Sequence, residues 1–161
     1  MKCCDIKPKK NQLNDQNHDF SCPQCGSKGS KIQIVTLKSI LKDCSLINIK
    51  EDLSYRYCKS PNCEVAYFSY SPDYFFRTDE LKKKATVKDQ SMDVHVCYCF
   101  DHTRQSILDE IIETGISTVV DSIKTQMKDP GCFCEKSNPQ GGCCLANIID
   151  CVKEATKKAS K

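Results

Sequence analysis

Cysteines are set along this chain in a pattern that few folds can accommodate. CPQCG stands at 22–26, CKSPNC at 58–63 and VCYCF at 96–100, and Cys132-Phe133-Cys134 is followed by Cys143-Cys144. Such density in an exported protein would predict a disulfide scaffold. The N-terminus has a basic start but no apolar run that could serve as a signal peptide. Nothing along the chain approaches the roughly 18 consecutive apolar residues of a membrane span. A cytoplasmic protein without membrane insertion is therefore expected, and in a reducing compartment clustered cysteines read as metal ligands or redox groups. The apolar content points the same way. Aromatics make up only 7% of the 161 residues and there is no tryptophan, so two small cores would need metal staples.

The first two motifs supply two thiolate pairs. In Cys22-x-x-Cys25 a tight turn can aim both sulfurs at one ion, and Gly26 suits the backbone angles that follow it. Cys58 and Cys63 form the second pair, with Pro61-Asn62 in the loop between them. Four thiolates delivered as two turn-borne pairs match a tetrahedral structural zinc site, although iron suits the same four-sulfur cage. Four sulfurs leave no open position for water, so this metal is expected to hold structure rather than to catalyse.

Around these pairs the chain reads as short strands, at 31–35, 55–57, 65–70 and 74–76, divided by Gly and Pro turns. The stretch 37–46 reads as a helical turn or a long connection, and 81–92 as a strand end passing into a linker. Beyond it the period changes from 2 to 3.6. A helix is predicted over 103–114, with Thr103 as N-cap, Ile107, Leu108, Ile111 and Ile112 as its stripe and Gly115 as its stop. Others are predicted over 117–128 and 145–157. The fold class is α+β: a disordered leader over 1–20, a zinc ribbon of short antiparallel strands over 21–85, and a compact helical domain over 93–157.

The second cysteine group frames these helices. Cys97-x-Cys99 precedes the first, and Cys132, Cys134, Cys143 and Cys144 precede the last, where free amides at the helix start favour a thiolate at Cys144. Four sulfurs from two chain segments make a cradle for a [2Fe–2S] cluster, with Gly141 and Gly142 letting backbone N–H groups approach.

Cys97-x-Cys99, two short helices, a late cysteine group and a closing helix resemble the bacterioferritin-associated ferredoxin type of [2Fe–2S] domain. VCYCF and CEKSNPQGGCCL, taken with CPQCG and CKSPNCEVAYF, resemble the N-terminal domain of CopZ-type copper chaperones over about residues 21 to 155. The resemblance implies zinc on Cys22, Cys25, Cys58 and Cys63, and a [2Fe–2S] cluster on Cys97, Cys99, Cys134 and Cys144. The simple ferredoxin spacing after Cys99 ends instead on Cys132, whereas the C-x3-NP stretch selects Cys134. Cys132 and Cys143 remain as alternative ligands. CopZ-type proteins also carry a following domain with an MxCxxC copper loop, and no such motif occurs in these 161 residues. Direct copper delivery through such a loop is not expected here.

The remaining features carry less. The 24 basic and 21 acidic residues balance to +3, which argues against nucleic acid. His95 and His102 bracket the CxC motif, but sulfur ligands suffice without them. Cys44 and Cys151 read as small buried hydrophobes, the mobile Cys3-Cys4 pair as having no specific role, and Asp109, Glu110 and Glu113 as a solvated helix face. No nucleophile elbow, phosphate loop or dinucleotide fingerprint is present, so no enzyme is expected. The reading is a metal-binding protein for one-electron transfer and copper handling, partnered by a redox or copper-handling protein. The alternative is a non-redox interaction module whose metals only hold the fold.

Overall fold

The computed structural model describes residues 20–161, so the expectations for 1–19, including Cys3-Cys4, lie outside the described part. Tyr55-Arg56-Tyr57 is the alternating strand around which the first half assembles. Both tyrosines are 1% exposed, while Arg56 turns outward and lays its guanidinium 4.1 Å from the centre of the Phe20 ring. This strand, β2 (Tyr55–Tyr57), lies between β1 (Ser30–Ile32) and β3 (Val65–Ser69), and β4 (Phe75–Arg77) completes an antiparallel sheet in the order β1-β2-β3-β4. Every residue of β3 is buried, because both faces of the sheet are covered. On one side Tyr55, Tyr57, Tyr67 and Phe76 pack with Leu37, Ile40, Leu41 and Leu81. Val65 and Phe68 join a separate small cluster with Cys22, Cys58 and Cys63.

The predicted strand over 31–35 is only half a strand. It ends at Ile32, and Ile34 opens a helix, α1 (Ile34–Ile40). Ile, Val and Thr at its start favour extended structure locally. Helix wins because it buries Thr36, Leu37 and Ile40 together against the sheet, about 1.5–3 kcal/mol for each large apolar side chain. A one-turn helix, α2 (Asp43–Leu46), follows, so 37–46 is largely helical rather than a long connection.

The second half begins with a small hairpin, β5 (His95–Cys97) and β6 (His102–Thr103), whose turn holds Asp101 at a left-handed φ of 60°. Helix α3 (Arg104–Thr114) is capped as its sequence predicts. Thr103 accepts the Ser106 N–H at 3.1 Å, and Gly115, at φ 83°, ends it. Its stripe is narrower than predicted, since Ile107 and Ile111 are buried while Ile112 is 66% exposed. Helix α4 (Val119–Gln126) contributes Val119 and Ile123. A four-residue helix, α5 (Cys134–Ser137), lay unseen among the cysteines, and α6 (Leu145–Ala159) packs Ile148, Cys151 and Ala155 against α3. Cys151 is thus the small core residue that its position in the helix predicts.

The two halves are joined by polar contacts that no periodicity announces. Helix α1 lies against α5, and the Thr36 hydroxyl donates to the Glu135 carbonyl at 2.7 Å. The buried Tyr67 hydroxyl donates to the carbonyl of Pro139. Gly141, at φ 70°, approaches so closely that a Cβ there would sit 3.0 Å from Ile32 Cγ2. Nor is 81–92 a free linker. Leu81 bridges to Leu41, and Arg104 donates to the carbonyls of Thr86 and Asp89 at 2.6 and 2.8 Å.

Tyr67→Phe should therefore cost about 1–3 kcal/mol, the penalty for leaving the buried Pro139 carbonyl without its donor. Urea unfolding of the two proteins measures this directly, and equal midpoints would show that the contact contributes nothing.

Candidate metal centres

Each half of the CPQCG turn is held by backbone. Cys22 N–H donates to the Ser27 carbonyl and Gly26 N–H to the Cys22 carbonyl, both at 2.9 Å, with Gly26 at φ 72°. A bridge between Ser21 and Lys28 closes the base of this turn. Cys58 and Cys63 lie in the connection from β2 to β3, where Cys58 N–H donates to the Ala66 carbonyl at 2.8 Å. The loops bring all four sulfurs within 4.8 Å of one another. Cys22 and Cys63 stand 3.7 Å apart, and Cys25 and Cys58 stand 3.6 Å apart. A tetrahedron with metal–sulfur bonds of about 2.3 Å has edges of about 3.8 Å, so these two edges match those of a zinc tetrathiolate. Cys22, Cys58 and Cys63 are buried and Cys25 is exposed, which leaves one corner of the site at the surface.

As thiols Cys25, Cys58 and Cys63 differ in acidity. Burial pushes Cys58 up to about 12, and raises Cys63 as well. Burial acts the same way on Cys25, but hydrogen bonds from Ser27, Cys58 and Cys22 together outweigh it and bring that thiol down to about 6. Lys88 was not visible as part of the site in the sequence. Its ammonium donates to the carbonyls of Ser60 and Cys63 at 2.9 and 3.0 Å, and its charge favours the thiolate of Cys58. A tetrathiolate around a divalent ion carries net negative charge, which a neighbouring cation offsets.

The second predicted set is brought together pairwise, from three parts of the chain, without the mutual approach of all four sulfurs seen in the first site. Cys97 ends β5 and Cys99 follows in the turn, Cys134 opens α5, and Cys144 is the residue before α6. Cys99 and Cys134 sulfurs are 3.6 Å apart, the same spacing as in the first cage. The Cys144 thiol is within hydrogen-bonding reach of both Cys97 and Cys134. Those bonds from Cys144 bring Cys97 down to about 7 and Cys134 to about 6, while Cys144 itself is pushed far up and keeps its proton. Cys132 and Cys143 are exposed at the rim, with Cys132 touching Cys134. Among the alternatives left by spacing, the buried ones, Cys134 and Cys144, are those that meet the CxC pair. Neither histidine takes part through the contacts seen: His95 Nε2 pairs with Asp101 at 2.5 Å, and His102 Nε2 is buried without a partner among the described residues. Two hydrogen-bond partners of Cys99 had no signal in the sequence: the Ser137 hydroxyl, 3.1 Å from Cys99 Sγ, and the Phe133 N–H, which donates to it at 3.4 Å.

No disulfide joins the described cysteines of either sulfur group, and no helix among the described residues is long and apolar enough to cross a membrane. Residues 19–82 match the CopZ-type zinc binding domain family. The chain is 30% identical over 123 residues to the copper chaperone CopZ of Archaeoglobus fulgidus, an alignment covering 76% of this chain and 57% of that relative. The chain thus spans little more than half the length of the relative it matches. The X-ray structure of the A. fulgidus CopZ N-terminal domain is similar with a TM-score of 0.66 and 27% identity, covering 81% of this chain and 95% of the other. That coverage exceeds what residues 19–82 hold, so the likeness runs into the second half. Together these findings support a CopZ-type zinc-binding domain in the N-terminal half, a relationship to copper chaperones, and zinc on the four-cysteine site.

Because Cys58 and Cys63 hold their protons at neutral pH as thiols and lose them to a metal, zinc affinity should rise with pH and uptake should release protons. Competition against a chromogenic chelator between about pH 6 and about pH 8 reads the slope, and a flat profile contradicts it. Cys58→Ser should lose zinc and thermal stability together.

Proposed function

We propose that this protein handles copper through two cysteine-built centres with different tasks. Zinc on Cys22, Cys25, Cys58 and Cys63 holds the N-terminal half together. Cys97, Cys99, Cys134 and Cys144 hold a [2Fe–2S] cluster that exchanges electrons with a redox partner. The observation that carries this reading is the contact between sulfurs of the second set, with Cys99 and Cys134 3.6 Å apart although 34 residues intervene between positions 99 and 134. Buried thiols from three chain segments would not be gathered for packing alone, since an aliphatic side chain fills such space with no tendency to ionise.

A [2Fe–2S] cluster supplies a single-electron change when bound, enough to take one Cu(II) ion to Cu(I). The chain's own residues prepare that site. The β5–β6 turn presents Cys97 and Cys99 side by side, and N–H groups of Cys99 and Phe100 donate to the Cys97 sulfur. Phe133 N–H donates to Cys99. Such donors stabilise negative charge on sulfur, and burial of Cys97, Cys134 and Cys144 keeps water from competing. Exposed Phe133, Cys132 and Cys143 leave one side of the site open to an electron or copper partner. This is the work of a carrier rather than an enzyme, in a compartment reducing enough to keep its thiols free.

The protein purified without oxygen should contain about two irons and about one zinc per chain and show visible absorbance that dithionite bleaches. Cys144→Ser should lose the iron and keep the zinc. A colourless wild-type protein after iron–sulfur reconstitution removes the cluster from the reading and leaves a zinc-held module.

A further inference from the structure

Ser137 closes α5 and is only 4% exposed, with its hydroxyl 3.1 Å from Cys99 Sγ. The same hydroxyl stands 3.2 Å from the Phe133 carbonyl, one helical turn earlier. A hydroxyl has one proton, so the two contacts compete for it. When Cys99 is a neutral thiol it can donate to the serine oxygen, and the serine proton is free to stay on the Phe133 carbonyl. A deprotonated sulfur donates nothing and only accepts. The serine proton then turns to sulfur, since a hydrogen bond to a charged acceptor is roughly twice as strong as one between neutral groups.

We propose that Ser137 is a positioning residue that sets the reduction potential of the centre through Cys99. Its hydroxyl donates to the Cys99 sulfur when that sulfur is bound to iron, and thereby favours the reduced form. The inference rests on the cluster assignment above. Reduction adds one electron without making or breaking a bond, and part of the added negative charge falls on the sulfur ligands. A fixed donor at one of those sulfurs binds more strongly after reduction than before it, so the potential rises. Burial sharpens the effect, because water cannot take the place of the missing hydroxyl. The Phe133 N–H reinforces the same sulfur from backbone, but only the serine contact can be removed by substitution.

The test compares full-length wild type, Ser137→Ala, Ser137→Thr and Ser137→Val, each reconstituted with iron and sulfide and titrated potentiometrically by visible absorbance. Ser137→Ala should bind iron to the wild-type level and shift the reduction equilibrium about tenfold toward the oxidised form, about 59 mV for one electron. Threonine and valine have the same shape and differ only in the hydroxyl. Ser137→Thr should therefore sit nearer the wild-type potential than Ser137→Val, even if the extra bulk lowers the stability of both. Exchange into deuterated water should shift the iron–sulfur stretching bands of wild type more than those of Ser137→Ala. Equal potentials for the Thr and Val variants, or for wild type and Ser137→Ala at equal iron content, overturn the proposal. A wild-type protein that takes up no iron overturns the cluster assignment itself, a separate and distinguishable result.

Discussion

Thiolates brought to within 4 Å of one another do not stay together unaided. At the 3.6 and 3.7 Å separations of the first site, two unit charges repel by about 4.5 kcal/mol at an effective dielectric near 20. Either protons or a cation must answer that repulsion. Protons do so poorly for four sulfurs at once, because thiols make weak hydrogen bonds. A divalent ion answers all four together, and its tetrahedral preference coincides with the spacing that the turns impose. The sheet depends on this condition, since Cys22, Cys58 and Cys63 pack directly with Val65 and Phe68 of its central region. Metal binding here is folding energy as much as ligand chemistry.

The second sulfur group depends on the first half through the seam between them. Thr36 and Tyr67 come from the helix and sheet beside the zinc site, and their hydroxyls hold the carbonyls of Glu135 and Pro139. Those carbonyls belong to the segment that carries Cys134 toward Cys144. Gly141 lets that segment approach Ile32 and Thr36 so closely that a Cβ there would press on both, at a left-handed φ of 70° that favours glycine. The half that carries the zinc site thus supports the geometry of the second sulfur group without sharing a cysteine with it. Lys88 extends the same arrangement, reaching from the segment after the sheet to the carbonyls beside Cys63.

Much of this was legible locally. Thr103 and Gly115 mark the ends of α3 because caps and left-handed stops act within a few residues. The strands around Tyr55 and Val65 follow from alternation and turn residues. The start of α1 was not legible, since Ile34, Val35 and Thr36 favour strand until the sheet offers their helix a surface to bury against. Helix α5 is a single turn, too short for any period to show. Ile112 was assigned to an apolar stripe that the bundle had no partner to cover.

For the metal sites the division has a simple physical origin. Ligand chemistry is carried by residue type and short spacing, so CPQCG, CKSPNC and CYC mark Cys22, Cys25, Cys58, Cys63, Cys97 and Cys99 as candidates from the chain alone. The choice among Cys132, Cys134, Cys143 and Cys144 turns on which thiols face inward, and facing is a property of packed helices. Cys134 and Cys144 are buried against the CxC turn, whereas Cys132 and Cys143 remain in solvent. Lys88 and Ser137 lie further still from anything a sequence displays. A lysine in a polar stretch and a serine in a loop-like one acquire their roles only when tertiary contacts bring an ammonium to Cys63 and a hydroxyl to Cys99.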